Sequence, residues 1–194
     1  MRIDHVIWVT EDLHPTADRL AHEHGLPDGG GGRHVGIGTH NRVFPLGGGY
    51  LEVLAVADQE EAATSVIGRA VAAAPDGLFG WAVAVADVPA EAQRLGLEVT
   101  SIERGGLTAR LTGVVQAMAE PWLPFFIQRD AGIENSSPPT PSGDAGGIGW
   151  VELAADPERL HAWLGGGEEL PLRYAAGEPT GLRAVGLGAG AVIR

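Results

Sequence analysis

One grammar recurs along the chain and restricts what it can fold into: a strand, a short helix, then further strands, begun afresh about every seventy residues. In the first run Ile3–Thr10 (IDHVIWVT) is rich in β-branched residues and reads as a strand. Pro15–Gly25 (PTADRLAHEHG) has helix-compatible residues with glycine at its end. A strand-like piece at His34, then Thr39–Leu46 and Tyr50–Val56 joined by three glycines, complete the unit with a hairpin. The second run places a strand at Phe79–Asp87, a helix at Pro89–Gly96, and strands at Glu98–Ile102, Leu107–Leu111, Val114–Met118 and Phe125–Arg129. In the third, from Ile148, Asp156 is the expected N-cap, Pro157 the first helical residue and Gly165 the terminator. Strands near Leu172–Tyr174, Leu182–Leu187 and Ala191–Arg194 close it. The chain therefore reads as an α+β protein of βαβββ modules over 1–57 and 79–134, with a helical connector at 58–78. A polar linker at 135–147 (NSSPPTPSGDAGG) leads to a third βαβββ-like unit at 148–194, the whole expected to form one compact domain.

Charge and composition remove several function classes. All thirteen basic residues are arginine, and with 25 acids the net charge is −12. A chain this acidic, with no basic run, has no electrostatic footprint for nucleic acid or an anionic membrane surface. The absence of cysteine rules out disulfides, thiolate metal sites and a cysteine nucleophile. No apolar run is long enough for a membrane span and the N-terminus lacks signal-peptide character, so a cytoplasmic location is expected.

The stretches DHVIWVTEDL, GGRHVGIGTHNRVFPLGGGYLEVLAV and PWLPFFIQR resemble the glyoxalase-like branch of the vicinal oxygen chelate superfamily. The most distinctive part is GTHN at 38–41 followed by YLE at 50–52, and the likeness covers most of residues 3–130. The resemblance implies curved mixed sheets forming a cup around a divalent metal (Zn, Fe, Mn or Ni) or a small ligand. It predicts His5 and Glu52 as a metal pair. Members of the superfamily isomerise, epimerise, cleave aromatic rings with oxygen, open epoxides with thiols or bind antibiotics, and fold alone does not choose among these.

Strand parity asks which side chains share the cup. A turn in which Leu46 opposes Tyr50 pairs Phe44 with Glu52, Arg42 with Leu54 and His40 with Val56. Glu52, Phe44, Arg42, His40 and His34 then share a polar face, while Leu51, Val53 and Ala55 pack on helices, as do Val6 and Trp8 of the first strand. Asn41 falls on the helix side. In this register His40 stands roughly 13 Å along the strand from Glu52, too far for one metal to hold both. Catalytic roles are thus expected for Glu52 and His40, and substrate contacts for Arg42 and His34.

Aligning the repeats places Trp81 and Trp150 opposite His5, and Gln128 near the position of Glu52. The second module so lacks the ligands that metal-using relatives draw from both halves of the cup. Trp81, Trp150 and Phe126 become candidates for an apolar wall, with Glu152 as a replacement acid. Two readings stay open: a metal-dependent lyase, isomerase or dioxygenase acting on a small oxygen-bearing substrate, and a metal-free protein that binds and sequesters a small molecule. Three units also leave one half-cup without a partner, for which a homodimer would be an economical solution.

Overall fold

A computed structural model describes residues 1–104, 107–129, 146–166, 169–177 and 179–194, with side chains at 103, 104 and 107 excepted. Most of the expected linker, and the last residues assigned to the second module, lie outside the described residues. The first run forms β1 (Arg2–Val9), α1 (Leu13–His24), β2 (Gly31–His34), β3 (Thr39–Pro45) and β4 (Tyr50–Val56). Two connecting helices follow, α2 (Gln59–Thr64) and α3 (Val66–Ala73). The second run forms β5 (Gly77–Ala84), α4 (Val88–Leu95), β6 (Thr100–Arg104), β7 (Leu107–Thr112), α5 (Val114–Ala119) and β8 (Phe125–Arg129). The third forms β9 (Ile148–Ala154), α6 (Pro157–Leu164), β10 (Leu172–Tyr174), β11 (Gly181–Leu187) and β12 (Val192–Ile193).

Helix ends follow local chemistry. The Asp156 carboxylate accepts from the backbone N–H groups of Glu158 and Arg159, and α6 ends at Gly165 in the left-handed conformation. Asp87 and Gly96 do the same for α4. The expected strand at Val114–Met118 is helix α5 instead. Gly113, at φ 79°, breaks the preceding strand, and Gln116, Ala117, Met118 and Ala119 favour helix. A short apolar run does not by itself distinguish the two states.

The first two modules join in one eight-stranded sheet, ordered β2-β3-β4-β1-β5-β8-β7-β6. In each module the first strand runs parallel to the fourth, and the modules meet where β1 runs antiparallel to β5. The sheet curls into a cup, since β2 at one edge (Gly31, His34) and β6 at the other (Ile102) line the same cavity. Helices α3 and α5 pack against each other and contribute Ile67, Val114 and Met118 to that cavity, so they roof the concave side.

The convex face carries the main core. Val6, Trp8, Leu51, Val53, Ala55 and Trp81 are buried there, with Leu13, Ala17 and Leu20 from α1. Val151, Leu153, Leu160, Val185 and Ile193 of the third unit join the same core. That unit keeps the βαβββ element order but pairs its strands differently. Its own sheet runs β10-β9-β11-β12, with the first strand parallel to the second rather than to the fourth. It packs on the back of the cup, so no half-cup is left over and the packing reason for expecting a homodimer disappears. Among the described residues, no helix is long and apolar enough to cross a membrane.

Candidate functional site

The β3–β4 hairpin decides which side chains enter the cup, and its register is one residue away from the expected one. Pro45 pairs with Tyr50, Val43 with Glu52, Asn41 with Leu54 and Thr39 with Val56. The turn holds four residues, Leu46 to Gly49, closed by the Leu46 N–H donating to the Gly49 carbonyl. This register sends Phe44 and Leu46 into the core, where both are completely buried. The expected one would have set the Phe44 ring beside the Glu52 carboxylate. Full burial of such a ring is worth about 2 kcal/mol.

A one-residue slip turns every side chain of β3 over. Asn41 therefore faces the cavity, and its amide donates to Glu52 Oε1 at 2.5 Å. Arg42 leaves the cup and bridges Asp18 on α1 to Asp28 in the loop before β2. His40 leaves it too. Its ring lies edge-on to that of His14, 6.2 Å between centroids, and burial together with the charges of His14, His34 and Arg33 lowers its pKa. Neither Arg42 nor His40 lines the cavity, which corrects the expected substrate and catalytic placements.

His5 and Glu52 lie on the cavity wall as the strand pattern expects, and His34 lies there too, but through pairing with Thr39 and not on the face of His40. His5 is 3% exposed and Glu52 9%. The His5 Nε2 lies 3.8 Å from Glu52 Oε2, and the His34 Nε2 lies 3.9 Å from Glu52 Oε1. His34 is held through Nδ1 by the Thr39 hydroxyl at 2.9 Å.

Behind His5 stands a residue that alternation hides. Asp4 occupies a register shift between Ile3 and His5 in the β1–β5 pairing, so it escapes the two-residue period. Its Oδ1 meets His5 Nδ1 at 2.7 Å and accepts from Arg129 at 2.5 Å. Burial opposes the Asp4 charge, but the His5 hydrogen bond and the charges of His5, Arg129 and Arg2 prevail and hold its pKa at about 2. Arg129 also donates to the Tyr50 hydroxyl at 3.3 Å, and the Tyr50 ring stacks on His5 at 4.5 Å. Burial and the nearby Glu52 and Asp4 charges push the Tyr50 pKa upward, keeping it a neutral phenol. Tyr50 sits two residues before Glu52 on the same strand, so parity alone could have found it.

The far wall is built differently. In the first half β1 aligns His5 with Tyr50 and Ile7 with Glu52. In the second, β5 aligns Ala82 with Phe125 and Ala84 with Ile127. The positions of His5, Tyr50 and Glu52 are thus taken by Ala82, Phe125 and Ile127. Trp81 instead points into the core and donates its indole N–H to the Trp122 carbonyl at 3.1 Å. Phe126 stacks on Trp163 outside the cup. Trp150 belongs to the second sheet, where the Arg173 guanidinium lies 3.8 Å over its ring. These three do not form the expected apolar wall; Phe79, Phe125, Ile127 and Leu111 do. Gln128 accepts from the Val88 N–H and donates to the Ala86 carbonyl, fixing the start of α4. Glu152 pairs across β9 with Arg173 and Ala184, away from the cup.

The cavity holds about 540 Å3, within the usual range for small-molecule sites. As a metal centre its donor set is short. Among the described residues no three His, Asp or Glu side chains gather to hold an ion. His5 and His34 approach different oxygens of Glu52, one of those oxygens already accepts from Asn41, and among the described residues the opposite wall adds no His, Asp or Glu. A catalytic divalent-metal site ordinarily has three protein ligands, so these residues do not fit a resident metal.

Comparison with known proteins agrees with this architecture. The family described as glyoxalase-like domain matches residues 3–168. A hypothetical protein from Staphylococcus aureus is similar over 96% of this chain and 90% of its own, at 17% identity and a TM-score of 0.70. Methylmalonyl-CoA epimerase in complex with methylmalonyl-CoA is similar over 67% of this chain and 95% of its own, at 22% identity and a TM-score of 0.51. A Streptomyces coelicolor methylmalonyl-CoA epimerase variant with bound 2-nitronate-propionyl-CoA gives the same identity and TM-score, covering 68% and 96%. No curated protein matches. At these identities the solved structures share the fold, and with the family match over most of its length the chain belongs to the glyoxalase-like domain family.

Proposed function

We propose that the cup is the active site of a lyase or isomerase that moves a proton on a small oxygen-bearing molecule. The observation that carries this reading is the Asp4–His5 pair aimed at Glu52 at the polar end of a largely apolar cavity. Asp4 holds His5 through Nδ1 and points its Nε2 towards the cavity. Asn41 fixes one oxygen of Glu52 and leaves the other directed at the space in front of His5. In this mechanism Glu52 takes a proton from the carbon beside a substrate carbonyl, and the electron pair moves onto the carbonyl oxygen. The Tyr50 hydroxyl, kept protonated, donates to that oxygen as it gains charge. Glu52 then returns the proton at a different position or face.

A metal held by His5 and Glu52, the pair that the resemblance implies, and metal-free sequestration are the competing readings. The apolar far wall of Ala82, Phe125 and Ile127 favours the latter. One set of samples separates all three. Tag-free protein is assayed for metal and for solvent-deuterium incorporation beside the carbonyl of an aryl methyl ketone. Exchange that falls at least about 100-fold in Glu52→Gln, without stoichiometric metal, supports proton transfer. Near-stoichiometric metal lost in both His5→Ala and Glu52→Ala replaces it with metal-dependent chemistry. Tight ketone binding without exchange replaces it with sequestration.

A further inference from the structure

The charge balance inside the cavity narrows what can bind there. Glu52 brings a negative charge whose hydrogen-bond partner is the neutral Asn41 amide. Arg129 is the arginine on the described cavity wall, and it is already paired with Asp4 and the Tyr50 hydroxyl. Arg33, beside the β2 edge, is paired with Asp58 and Glu61. Arg42, the cation that the expected register would have brought in, lies on the convex side between two aspartates. The chain has no lysine to substitute for them. Among the described residues, and apart from the imidazoles of His5 and His34, the polar end thus carries one net negative charge, inside walls of Ile7, Leu54, Phe79, Phe125 and Ile127 under the α3–α5 roof.

Such walls strengthen like-charge repulsion, because little solvent intervenes to screen it. The Asn41 amide and the Tyr50 hydroxyl, both uncharged, suit a neutral oxygen acceptor. We infer that the ligand carries an uncharged oxygen-bearing head, such as a ketone, aldehyde or alcohol, on an apolar body that lies against the second half of the cup and its helical roof. The same charge balance disfavours a carboxylate head at the polar end of the cup. This inference rests on the cup being the functional site, and it does not require that a proton be transferred there.

A matched pair of probes tests it: 2-acetonaphthone and 2-naphthoate, which share a body and differ in the charge of the head. Binding to the full chain is measured by calorimetry at pH 7.5. The ketone is expected to bind at least tenfold more tightly than the carboxylate, and Glu52→Gln should narrow that gap to less than threefold. Thr108→Arg, which adds a cation at a half-buried position of the cavity wall, should improve naphthoate binding at least tenfold. It serves as the test if Glu52→Gln does not fold. Equal or tighter binding of naphthoate to the wild-type protein overturns the inference, as does a gap that neither variant changes, or no binding of the ketone. Selective ketone binding without deuterium exchange leaves this inference standing and removes the proton-transfer reading; exchange together with a preference for the carboxylate does the reverse.

Discussion

Asp4 and His5 are consecutive in one strand, yet their side chains meet, with 2.7 Å between carboxylate oxygen and ring nitrogen. Neighbours on a regular strand point to opposite faces. The register shift at Asp4 removes that restriction and places a carboxylate behind the imidazole that faces the cup. Arg129, from the far end of the second module, closes on the same oxygen, so the pair is locked only when both modules have joined.

Stability should report this arrangement in acid. The folded-state pKa of Asp4, about 2, lies below its ordinary value, so its contribution is complete above about pH 4 and is lost as the pH falls towards 2. The linkage amounts to about 2 kcal/mol. Urea unfolding between pH 5 and 2 should show that loss in the wild type. Asp4→Asn should be less stable at pH 7 by about 3 kcal/mol, with Arg129 left without its carboxylate, and should lack the Asp4 component of the acid slope. An unchanged slope in the variant would show that other carboxylates set it.

Two neighbouring substitutions test the hairpin register directly. Asn41→Ala removes the amide that holds Glu52 and should weaken 2-acetonaphthone binding at least tenfold. Arg42→Ala cuts exposed ion pairs to Asp18 and Asp28, should cost no more than about 1 kcal/mol, and should leave binding unchanged. The opposite pattern in calorimetry would restore the register in which Arg42 faces the cup.

Trp81 is a core residue whose ring nitrogen serves a carbonyl rather than a ligand. Trp81→Phe keeps most of the apolar volume but leaves the Trp122 carbonyl without that donor. The expected destabilisation is about 2 kcal/mol by chemical denaturation, with probe affinity preserved. Loss of affinity at unchanged stability would return Trp81 to the cup wall.

Gly186 tests the outer sheet. A Cβ at this position would lie 2.1 Å from the Trp150 ring, which is also covered by Arg173. Gly186→Ala should push the indole aside, shift the tryptophan fluorescence and cost about 1–3 kcal/mol. Ligand binding should not change, because this sheet lies behind the cup. A variant as stable as the wild type, with an unshifted spectrum, would contradict the packing described here.

Much of the architecture was legible in the chain before any coordinates. Local chemistry marked the ends of α6 through Asp156 and Gly165. Alternation placed Val6, Trp8, Leu51 and Val53 on the helix side and His5 and Glu52 on the other. These are short-range properties, set by turn conformation and by which face must be buried. Tertiary structure decided the rest. The extra residue in the β3–β4 turn exchanged Asn41 for Arg42 and His40, because burying Phe44 and Leu46 outweighs a simpler hairpin. The bulge at Asp4 exists only in the pairing of β1 with β5. Arg129 meets Asp4 across 125 residues. The third unit copies the order of elements but not their pairing, so its Trp150 and Glu152 never reach the cup. Element order is written locally; which side chains share a cavity is settled by register and by long-range pairing.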